Sequence, residues 1–335
     1  MADILKPLIL TTLAASCATN CCAFDYDAVP TAGQAVLDDR YPARTVSFAN
    51  GVTSLADVVY ATQPGFQPLK LDVYLPPASG APHPGVLVIH GGGWISGHSR
   101  HSGAFADWPG TLAALASEGY VVASLNYRLS GEAPFPAAIQ DVKAAIKFMR
   151  ANAAAYHLDP TRIATWGGSA GGQLAALAAV SCGVSELEPT ATIPGVADNA
   201  TVSDCVQGAV AWYGVFDFSP MVPTDTTQPS PVTQYLDCSQ RCAEHTVHMA
   251  SAQQLLDKAD PPMLLIHGID DAVVPVAQSQ NFHAAAEQSG VATSLVLIPK
   301  VNHSFIGATP EVTRAASLEA LEATVNFFNA TLSKQ

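Results

Sequence analysis

The sequence has 335 residues, of which 49% are hydrophobic and only 13% are charged, so the chain can bury a large core. This balance excludes an intrinsically disordered chain, because disordered chains are poor in apolar residues and rich in charge. Fifteen Lys and Arg residues against 28 Asp and Glu residues give a formal net charge of −13. The basic residues are scattered, as in the pair Lys143 and Lys147, and this distribution argues against nucleic acid as a partner.

The N-terminal residues 1–23 resemble a secretory signal peptide. An apolar run of small residues, 7–18, precedes cleavage positions near Ala18 or Ala23. The run is too short to span a bilayer as a helix, so we predict no transmembrane segment. The sequence predicts a secreted or periplasmic protein. Two alternatives stay open, namely an N-terminal arm that is not removed and a lipoprotein anchored at Cys17.

The cysteines also favour an oxidising compartment. Six of the seven remain after cleavage at Ala18, and an even number suits disulfide pairing. Cys182 and Cys205 flank a polar loop, and Cys238 and Cys242 bracket a short turn. Zinc is the alternative, but paired Cys-x-x-Cys spacing and a matching histidine cluster are both missing. We therefore predict two disulfides, Cys182–Cys205 and Cys238–Cys242.

Short apolar strands alternate with helical patterns along the chain. Residues 69–75 alternate apolar and polar side chains like a half-buried strand, whereas 86–89 is continuously apolar like a strand covered on both faces. The other predicted strands are 121–125, 163–166, 208–212, 263–266 and 294–298. The predicted helices are 111–118, 136–157, 170–180, 276–289 and 311–332.

This alternation predicts an α/β fold with right-handed crossovers, a mostly parallel sheet and helices on both faces. No linker divides the chain, so we predict a single domain over 24–335. Within it, 214–262 is a cap-like insertion after the strand ending near Trp212, and we expect it to lie over or beside the site. We expect a fixed loop there, because prolines break helices. The prolines concerned are Pro220, Pro223, Pro229 and Pro231.

A Gly-x-Ser-x-Gly pattern centred on Ser169 falls between a predicted buried strand and a predicted helix. A sharp strand–helix turn of this kind strains the central residue and lifts its hydroxyl above the sheet. Gly167 and Gly171 leave the room that this close approach requires, because a Cβ would clash. The alternative is a glycine-rich helix start with a capping serine. The helix N-terminus favours developing negative charge, and this supports a nucleophile.

A second glycine cluster, Gly91 to Gly93, follows the strand 86–89. Three glycines leave backbone N–H groups uncovered and able to turn inward, as an oxyanion hole requires, although a flexible turn is the alternative. Both glycine clusters end a predicted parallel strand. Because sites in open α/β sheets lie at the carboxyl ends of the strands, we expect both clusters at one site.

A serine hydroxyl is a weak nucleophile that needs a base and an orienting carboxylate. Asp270 and Asp271 follow a later predicted strand, and His303 lies between the last strand and the last helix. The order Ser169, Asp271, His303 matches that of α/β-hydrolases. Histidine is the natural base near neutral pH. Two other histidines also follow strands, His90 and His267.

Five motifs together resemble the hormone-sensitive-lipase-like carboxylesterases, and more closely the bacterial feruloyl and acetyl-xylan esterases. They are His-Gly-Gly-Gly-Trp at 90–94, Tyr-Arg-Leu at 127–129, Gly-Gly-Ser-Ala-Gly-Gly at 167–172, His-Gly-x-x-Asp at 267–271 and Asn-His at 302–303. The resemblance covers about 40–330 and implies the α/β-hydrolase fold. The large helical N-terminal cap of some members is missing here, and the insertion contains cysteines.

The resemblance implies a catalytic triad of Ser169 as nucleophile, Asp271 as orienting acid and His303 as base. The oxyanion-hole N–H groups that it implies are those of Gly92, Gly93 and Ala170. Acyl transfer through such a site proceeds through an acyl-enzyme and requires no metal or organic cofactor.

The sequence therefore predicts a serine carboxylic-ester hydrolase. The expected substrates are short-chain acyl esters or feruloyl and acetyl esters, either small or linked to polysaccharide. We expect Trp94 and Trp212 to line the mouth of an aromatic-walled pocket. The alternatives are an amidase, formamidase or exopeptidase with the same triad, or a non-catalytic binding protein of the same fold. A binding protein would have lost the nucleophile or base, whereas every required residue type is present.

Overall fold

The structure is a computed structural model that describes residues 44–77, 80–223, 229–238 and 241–333. These residues belong to a unit that extends from Asp38 to Gln335. The signal peptide predicted over residues 1–23 lies outside the described residues.

A mixed sheet runs through the described part of the chain. Its nine strands are Arg44–Ser47 (β1), Thr53–Ala61 (β2), Leu69–Leu75 (β3), His83–Ile89 (β4), Val121–Leu125 (β5), Leu158–Gly168 (β6), Gly208–Trp212 (β7), Met263–Gly268 (β8) and Thr293–Ile298 (β9). Their order is β1-β2-β3-β5-β4-β6-β7-β8-β9. The three pairs that join β1, β2, β3 and β5 are antiparallel, and the remaining pairs are parallel. The prediction of a mostly parallel sheet is confirmed.

Helices cover both faces of this sheet. They are Trp108–Ser117 (α1), Ala137–Ala151 (α2), Ala170–Val180 (α3), Pro231–Tyr235 (α4), Glu244–Ala250 (α5), Ala277–Ser289 (α6) and Pro310–Thr331 (α7). Among the helices of the described ranges, none combines the length and the apolar character that crossing a membrane requires.

Alternate residues of the central strands enter two cores, one on each face of the sheet. Val86 and Val88 of β4 share a core with α1 and α7. Leu87 and Ile89 share the other core with α2, α3 and α6. Because helices cover both faces, β5, β7 and β8 are buried along their whole length. The carboxyl ends of these parallel strands therefore meet at one edge of a rigid sheet.

Several element boundaries differ from the expected ones. The structure adds the antiparallel strands β1 and β2, which the sequence analysis does not predict. Strand β6 begins at Leu158 rather than Ile163, and α2 ends at Ala151 rather than His157. A short 3-10 turn follows α2, and His157 has a φ of 53°. The α-helix is already interrupted at Asn152, whose φ of −100° and ψ of 18° lie outside the α-helical region, so the predicted helix is too long.

The insertion 214–262 contains the short helices α4 and α5 rather than a loop alone. The expectation that Pro231 breaks a helix is wrong, because Pro231 occupies the first turn of α4. Proline is tolerated there, since its missing N–H has no intrahelical partner to lose. Ser230 caps the helix, with its side chain accepting a hydrogen bond from the Thr233 N–H at 3.1 Å. The predicted disulfide Cys238–Cys242 follows α4, and its pairing is confirmed.

The loop between α3 and β7 is closed by the other predicted disulfide, Cys182–Cys205, which is also confirmed. The neighbours of both cysteines bind one buried lysine of α2. Lys143 Nζ donates to the carbonyl of Ser181 at 2.5 Å and lies 2.6 Å from the Asp204 carboxylate. The two ends of the loop are thus fixed by a covalent bond and by a buried ion pair.

Candidate active site

Ser169 occupies the turn between β6 and α3, with φ 58° and ψ −121°. A positive φ is unfavourable for a residue with a side chain, so the surrounding packing must hold this turn. The Ser169 N–H donates to the carbonyl of Trp212 at 2.9 Å, which fixes the turn to the end of β7. A Cβ on Gly171 would lie 2.0 Å from the Ile89 carbonyl oxygen, and one on Gly167 would lie 2.3 Å from the Gly171 oxygen. Both glycines are therefore sterically required.

The side chain of His303 reaches this serine from the loop after β9. His303 Nε2 lies 2.9 Å from Ser169 Oγ, within hydrogen-bond distance. The loop is fixed by Asn302, whose side-chain oxygen accepts from the N–H groups of His303 at 2.7 Å and Ala272 at 2.9 Å. Asn302 thus joins the loop after β9 to the loop after β8.

Asp271 completes a line of three side chains. Its Oδ2 lies 2.8 Å from His303 Nδ1, and its Oδ1 accepts from the N–H groups of Val273 and Val274. Burial by itself would raise the pKa of the Asp271 carboxyl. Hydrogen bonds from His267, His303 and Val274 outweigh burial and hold that pKa well below its usual range. Asp271 is therefore ionised and able to orient the Nδ1 proton of His303.

Asp270 and Asp271 are neighbours in the sequence but have different environments in the structure. The Asp270 side chain is exposed, whereas Asp271 is buried and bound to the histidine. His267 is a further member of this site, and the sequence analysis predicts only that it follows a strand. Its Nε2 lies 3.3 Å from Asp271 Oδ2, and its Nδ1 lies 2.7 Å from the hydroxyl of Ser279. The spacing of four residues between His267 and Asp271 is the signal that could have revealed this contact.

The glycine cluster after β4 packs against the serine turn. A Cβ on Gly91 would lie 2.8 Å from the Gly168 carbonyl oxygen, so only glycine allows this approach. Gly92 and Gly93 have φ of 114° and 59°, and both line the same cavity as Ser169. Within the described part of the chain, no hydrogen bond uses the N–H groups of Gly92 and Gly93. These donors are free to bind a ligand next to Ser169.

The third expected donor, Ala170, is the first residue of α3. Its N–H has no intrahelical acceptor, because the first four N–H groups of a helix lie beyond the hydrogen-bonded ladder. The positive end of the helix dipole lies at the same place. The Ala170 N–H thus lies next to Ser169, which lines one cavity with Gly92 and Gly93.

His90 packs beneath the sequence-adjacent glycine cluster and contacts its first residue, Gly91. Its ring stacks on Tyr127 with centroids 4.2 Å apart, and its Nδ1 lies 2.8 Å from the Gly91 carbonyl oxygen. The Tyr127 hydroxyl donates to the His90 carbonyl at 3.1 Å. Burial lowers the pKa of His90 to about 4. His90 is therefore neutral at physiological pH and acts in packing, not as a second base.

A cavity of about 640 Å³ opens above Ser169 and His303. Its wall includes Trp94 and four apolar residues of the insertion. The four are Val215, Met221, Pro231 and Val232. Polar side chains also line the cavity. Those of Ser96 and His101 are exposed and those of Ser102 and Ser304 are half-buried, and we call these four residues the rim.

The expectation that Trp212 lines this cavity is wrong. Trp212 is buried on the face of the sheet that packs against α1 and α7, whereas Trp94 belongs to the core on the other face. The Trp212 indole N–H donates to Thr324 of α7 at 3.0 Å. It shares that face with Trp166 and Val210, because every second residue of a strand points to the same side. The next residue, Tyr213, lines the cavity in its place.

The described residues contain no group of three or more His, Cys, Asp and Glu side chains that could hold a metal ion. Ser169, His303 and Asp271 form a continuous hydrogen-bonded line at the carboxyl edge of the sheet. The fold and this arrangement together define the class of the protein as an α/β-hydrolase.

Comparison with known proteins places the chain within that class. The BD-FAE family model matches residues 71–286, and the chain belongs to this family. Esterase LipQ of Mycobacterium tuberculosis is 32% identical over 255 residues, which are 75% of this chain and 57% of LipQ. The chain spans about half the length of the curated relatives it matches.

The chain is also similar to solved structures of esterases. A truncated carbohydrate esterase from gut microbiota has a TM-score of 0.70 and 28% identity, over 86% of this chain and 99% of that one. An acetyl ester-xyloside bifunctional hydrolase from Caldicellulosiruptor lactoaceticus has a TM-score of 0.63 and 25% identity, over 79% of this chain and 92% of that one. The resemblance to hormone-sensitive-lipase-like esterases and acetyl-xylan esterases is confirmed.

Proposed function

We propose that the protein is a serine carboxylic-ester hydrolase. The observation that carries this proposal is the line from Ser169 Oγ to His303 Nε2, at 2.9 Å, and from His303 Nδ1 to Asp271, at 2.8 Å. The line opens into a cavity that also contains free backbone donors. Membership of the BD-FAE family and similarity to several esterases support the same reaction.

The geometry suits a two-step acyl transfer. As Ser169 Oγ attacks the ester carbonyl carbon, its proton passes to His303 Nε2, and the carbonyl electrons move to oxygen. The tetrahedral intermediate collapses, and His303 returns the proton to the departing alcohol. Water then attacks the acyl-enzyme by the same route and releases the carboxylic acid. Asp271 stays ionised throughout and stabilises the imidazolium that forms twice in each cycle.

The negative charge on the intermediate oxygen falls near Gly92, Gly93 and Ala170. Their N–H groups stabilise that charge, and the loss of one such donor typically costs about 3–4 kcal/mol of transition-state stabilisation. Because the donors belong to the backbone and are held by glycine packing, they need little reorganisation during the reaction. This arrangement accounts for the glycine clusters at both strand ends.

The cavity favours a short or flat acyl group and a polar alcohol. Val215, Met221 and Val232 of the insertion give an apolar wall for the acyl group. His101 and Ser102 give the rim groups that can bind the hydroxyls of a polar leaving group. We therefore propose acetyl, other short-chain acyl or feruloyl esters as substrates, either small or attached to polysaccharide. One structural relative is named as an acetyl ester-xyloside bifunctional hydrolase.

We also propose that the protein acts outside the cytoplasm. The two disulfides support this location, because disulfides persist in oxidising compartments. The signal peptide predicted over residues 1–23 supports the same location.

The reaction can be tested with p-nitrophenyl acetate and its anilide counterpart, p-nitroacetanilide. We expect turnover of the ester, and a loss of about 10⁴–10⁶-fold in kcat for Ser169→Ala and His303→Ala. A serine-directed phosphonate should label the wild-type protein but not Ser169→Ala. The exposed Ser185→Ala variant serves as the matched control and should keep full activity.

Each alternative has its own signature in this assay. Faster turnover of the anilide than of the ester would identify an amidase instead. No turnover of either compound, together with no phosphonate labelling, would identify a binding protein. Near-wild-type activity in a clean Ser169→Ala preparation would disprove the assignment of the nucleophile.

The acyl preference can be tested at Val232. Enlarging this wall residue in Val232→Phe should lower the rates for butyryl and feruloyl esters relative to acetyl esters, because the cavity becomes shallower. Val46→Phe, at a position that is 44% exposed on β1, is the matched control. Unchanged relative rates in a stably folded Val232→Phe variant would show that the acyl group binds elsewhere.

A further inference from the structure

Tyr213 occupies an unusual place beside the proposed triad. It follows β7 directly, is 3% exposed and has a φ of 36°. Its N–H donates to the carbonyl of Ile266 in β8 at 2.8 Å, while the carbonyl of the preceding residue, Trp212, accepts from the Ser169 N–H. The Tyr213 backbone is therefore fixed between the serine turn and the strand that leads to Asp271.

The Tyr213 ring packs on the loop that contains the proposed base. Its centroid lies 4.8 Å from that of His303, with an interplanar angle of 62°. It lies 4.8 Å from the centroid of Phe305, at an angle of 77°. These are edge-to-face arrangements, which aromatic pairs prefer. One ring thus contacts the imidazole and the residue that closes the same turn.

The Tyr213 hydroxyl lies close to the residues that adjoin Ser169 and His303 in the sequence. A Cβ placed on Gly168, the residue before Ser169, would lie 2.8 Å from this oxygen. On the other side, burial raises the pKa of the phenol and a hydrogen bond with Ser304 offsets part of that rise. Ser304 is the residue after His303. Tyr213 therefore touches the chain next to both reacting groups.

The turn that holds His303 needs such support. Ser304 and Phe305 have φ of 60° and 59°, the left-handed region that residues with side chains rarely adopt. Two consecutive residues in this region do not hold their conformation by local preference. Contacts from outside the turn must hold it, and the Tyr213 ring and hydroxyl make contacts of this kind with both residues.

We propose that Tyr213 is a positioning residue that keeps His303 Nε2 aligned with Ser169 Oγ. This inference rests on the proposed esterase function. Tyr213 acts through the His303–Phe305 turn on one side and through the Gly168 backbone on the other. Small displacements of a base can cost about 100-fold in rate, so a contact that fixes the turn has a large effect on turnover.

The alternative is that Tyr213 only fills space in the core. The two roles predict different kinetics. A space-filling residue lowers the stability of the protein but leaves the kcat of the folded fraction unchanged. A positioning residue lowers kcat with little change in KM, because the ground-state binding of the substrate does not depend on the alignment of the base.

The test compares Tyr213→Leu and Tyr213→Phe in the full chain, with p-nitrophenyl acetate as substrate. We expect Tyr213→Leu to lower kcat about 100-fold with KM unchanged within about 3-fold. Tyr213→Phe keeps the ring and loses the hydroxyl, so it should lower kcat only about 3-fold to 10-fold. The rate of inactivation by a serine-directed phosphonate should fall by the same factors, because it reports the activation of Ser169.

Tyr120 offers a matched control. It is also 3% exposed, its hydroxyl donates to Asn329 at 2.6 Å, and its ring packs on Phe328, away from the cavity. Tyr120→Leu and Tyr120→Phe should lower thermal stability but keep the kcat of the folded protein.

An unchanged kcat in folded Tyr213→Leu, or a loss confined to KM, would overturn the inference. If Tyr213→Leu does not fold, Tyr213→Phe decides, and its unchanged kcat and inactivation rate would overturn it as well. These results are distinct from a failure of the proposed function. In that case the wild-type protein itself would show no Ser169-dependent turnover, and all Tyr213 variants would match it.

Discussion

The indole N–H of Trp94 donates a hydrogen bond to the side-chain oxygen of Gln173, at 3.0 Å, in the buried wall of the cavity. Gln173 lies one helical turn after Ser169, and its own N–H donates to the Ser169 carbonyl at 3.0 Å. Its side-chain nitrogen donates to the carbonyl of Ala250, at 3.0 Å, in the insertion. The buried side-chain amide of Gln173 thus joins three parts of the protein. They are the helix α3, the loop that contains Trp94, and the insertion.

Replacement of Gln173 by leucine should weaken this junction. The substitution leaves the buried indole N–H of Trp94 without an acceptor, which typically costs about 1–3 kcal/mol of unfolding free energy. Because Trp94 also lines the cavity, we expect the ratio of acetyl to butyryl ester turnover to change. Urea unfolding and relative rates measure the two effects. Gln288→Leu, at an exposed position, is the control, and equal behaviour of both variants would contradict the expectation.

The two neighbouring aspartates should respond very differently to substitution. Asp271→Asn removes the charge that stabilises the His303 imidazolium, and an amide can also favour the wrong imidazole tautomer, so we expect kcat to fall about 10⁴-fold. Asp270→Asn changes an exposed side chain and should leave kcat within about 3-fold of wild type. Ester kinetics of the two variants decide the assignment. The reverse ranking would mean that the orienting acid is wrongly identified.

Stability should fall on acidification because of His90. Burial lowers the folded-state pKa of His90 to about 4, whereas the unfolded-state value is about 6.5. The unfolded chain therefore binds this proton first. The stabilising contribution is complete above about pH 6.5 and is lost progressively as the pH falls to about 4, to a limit of about 3 kcal/mol.

Urea unfolding at pH 7.5 and pH 5 measures this effect. We expect the loss of unfolding free energy between the two pH values to be smaller in His90→Gln than in the wild-type protein. His245→Gln, whose side chain is 68% exposed, should lose as much as wild type. Equal losses in all three proteins would exclude His90 as the source.

The two disulfides should differ in their contribution to stability. A bridge restricts the unfolded chain more when it closes a longer loop, and the sequence separations are 23 residues for Cys182–Cys205 and 4 for Cys238–Cys242. We expect the Cys182→Ser/Cys205→Ser variant to lose about 3 kcal/mol of unfolding free energy. The Cys238→Ser/Cys242→Ser variant should lose less. A larger loss from the shorter loop, measured by urea unfolding without reductant, would contradict this explanation.

Much of the site could be predicted from the sequence because each part lies at the end of a strand or in the loop after it. Ser169, Asp271 and His303 are separated widely in sequence, yet all follow parallel strands, whose carboxyl ends meet at one edge of the sheet. The glycine spacing adds the oxyanion loop, because its steric requirement is local. What depends on local rules and on strand order could therefore be predicted.

Other features depend on which face of the sheet a side chain occupies, and on contacts between residues that are far apart in the sequence. Trp212 could have been assigned to the same face of the sheet as Val210, two residues earlier in β7, since side chains along a strand alternate with a period of two. Tyr213 and Gln173 carry no motif of their own. Their importance comes from contacts with His303 and Trp94, which lie far away in the sequence.

Among the described residues, five that carry side chains adopt a positive φ in or beside the cavity. They are Trp94, Ser169, Tyr213, Ser304 and Phe305. Each such conformation costs about 1–3 kcal/mol and persists because the surrounding core fixes it. Heat resistance and catalytic rate therefore compete at these positions. Selection for thermal stability alone would favour substitutions that remove the strained backbone conformation at these five positions. The most heat-stable variants would then be slow catalysts.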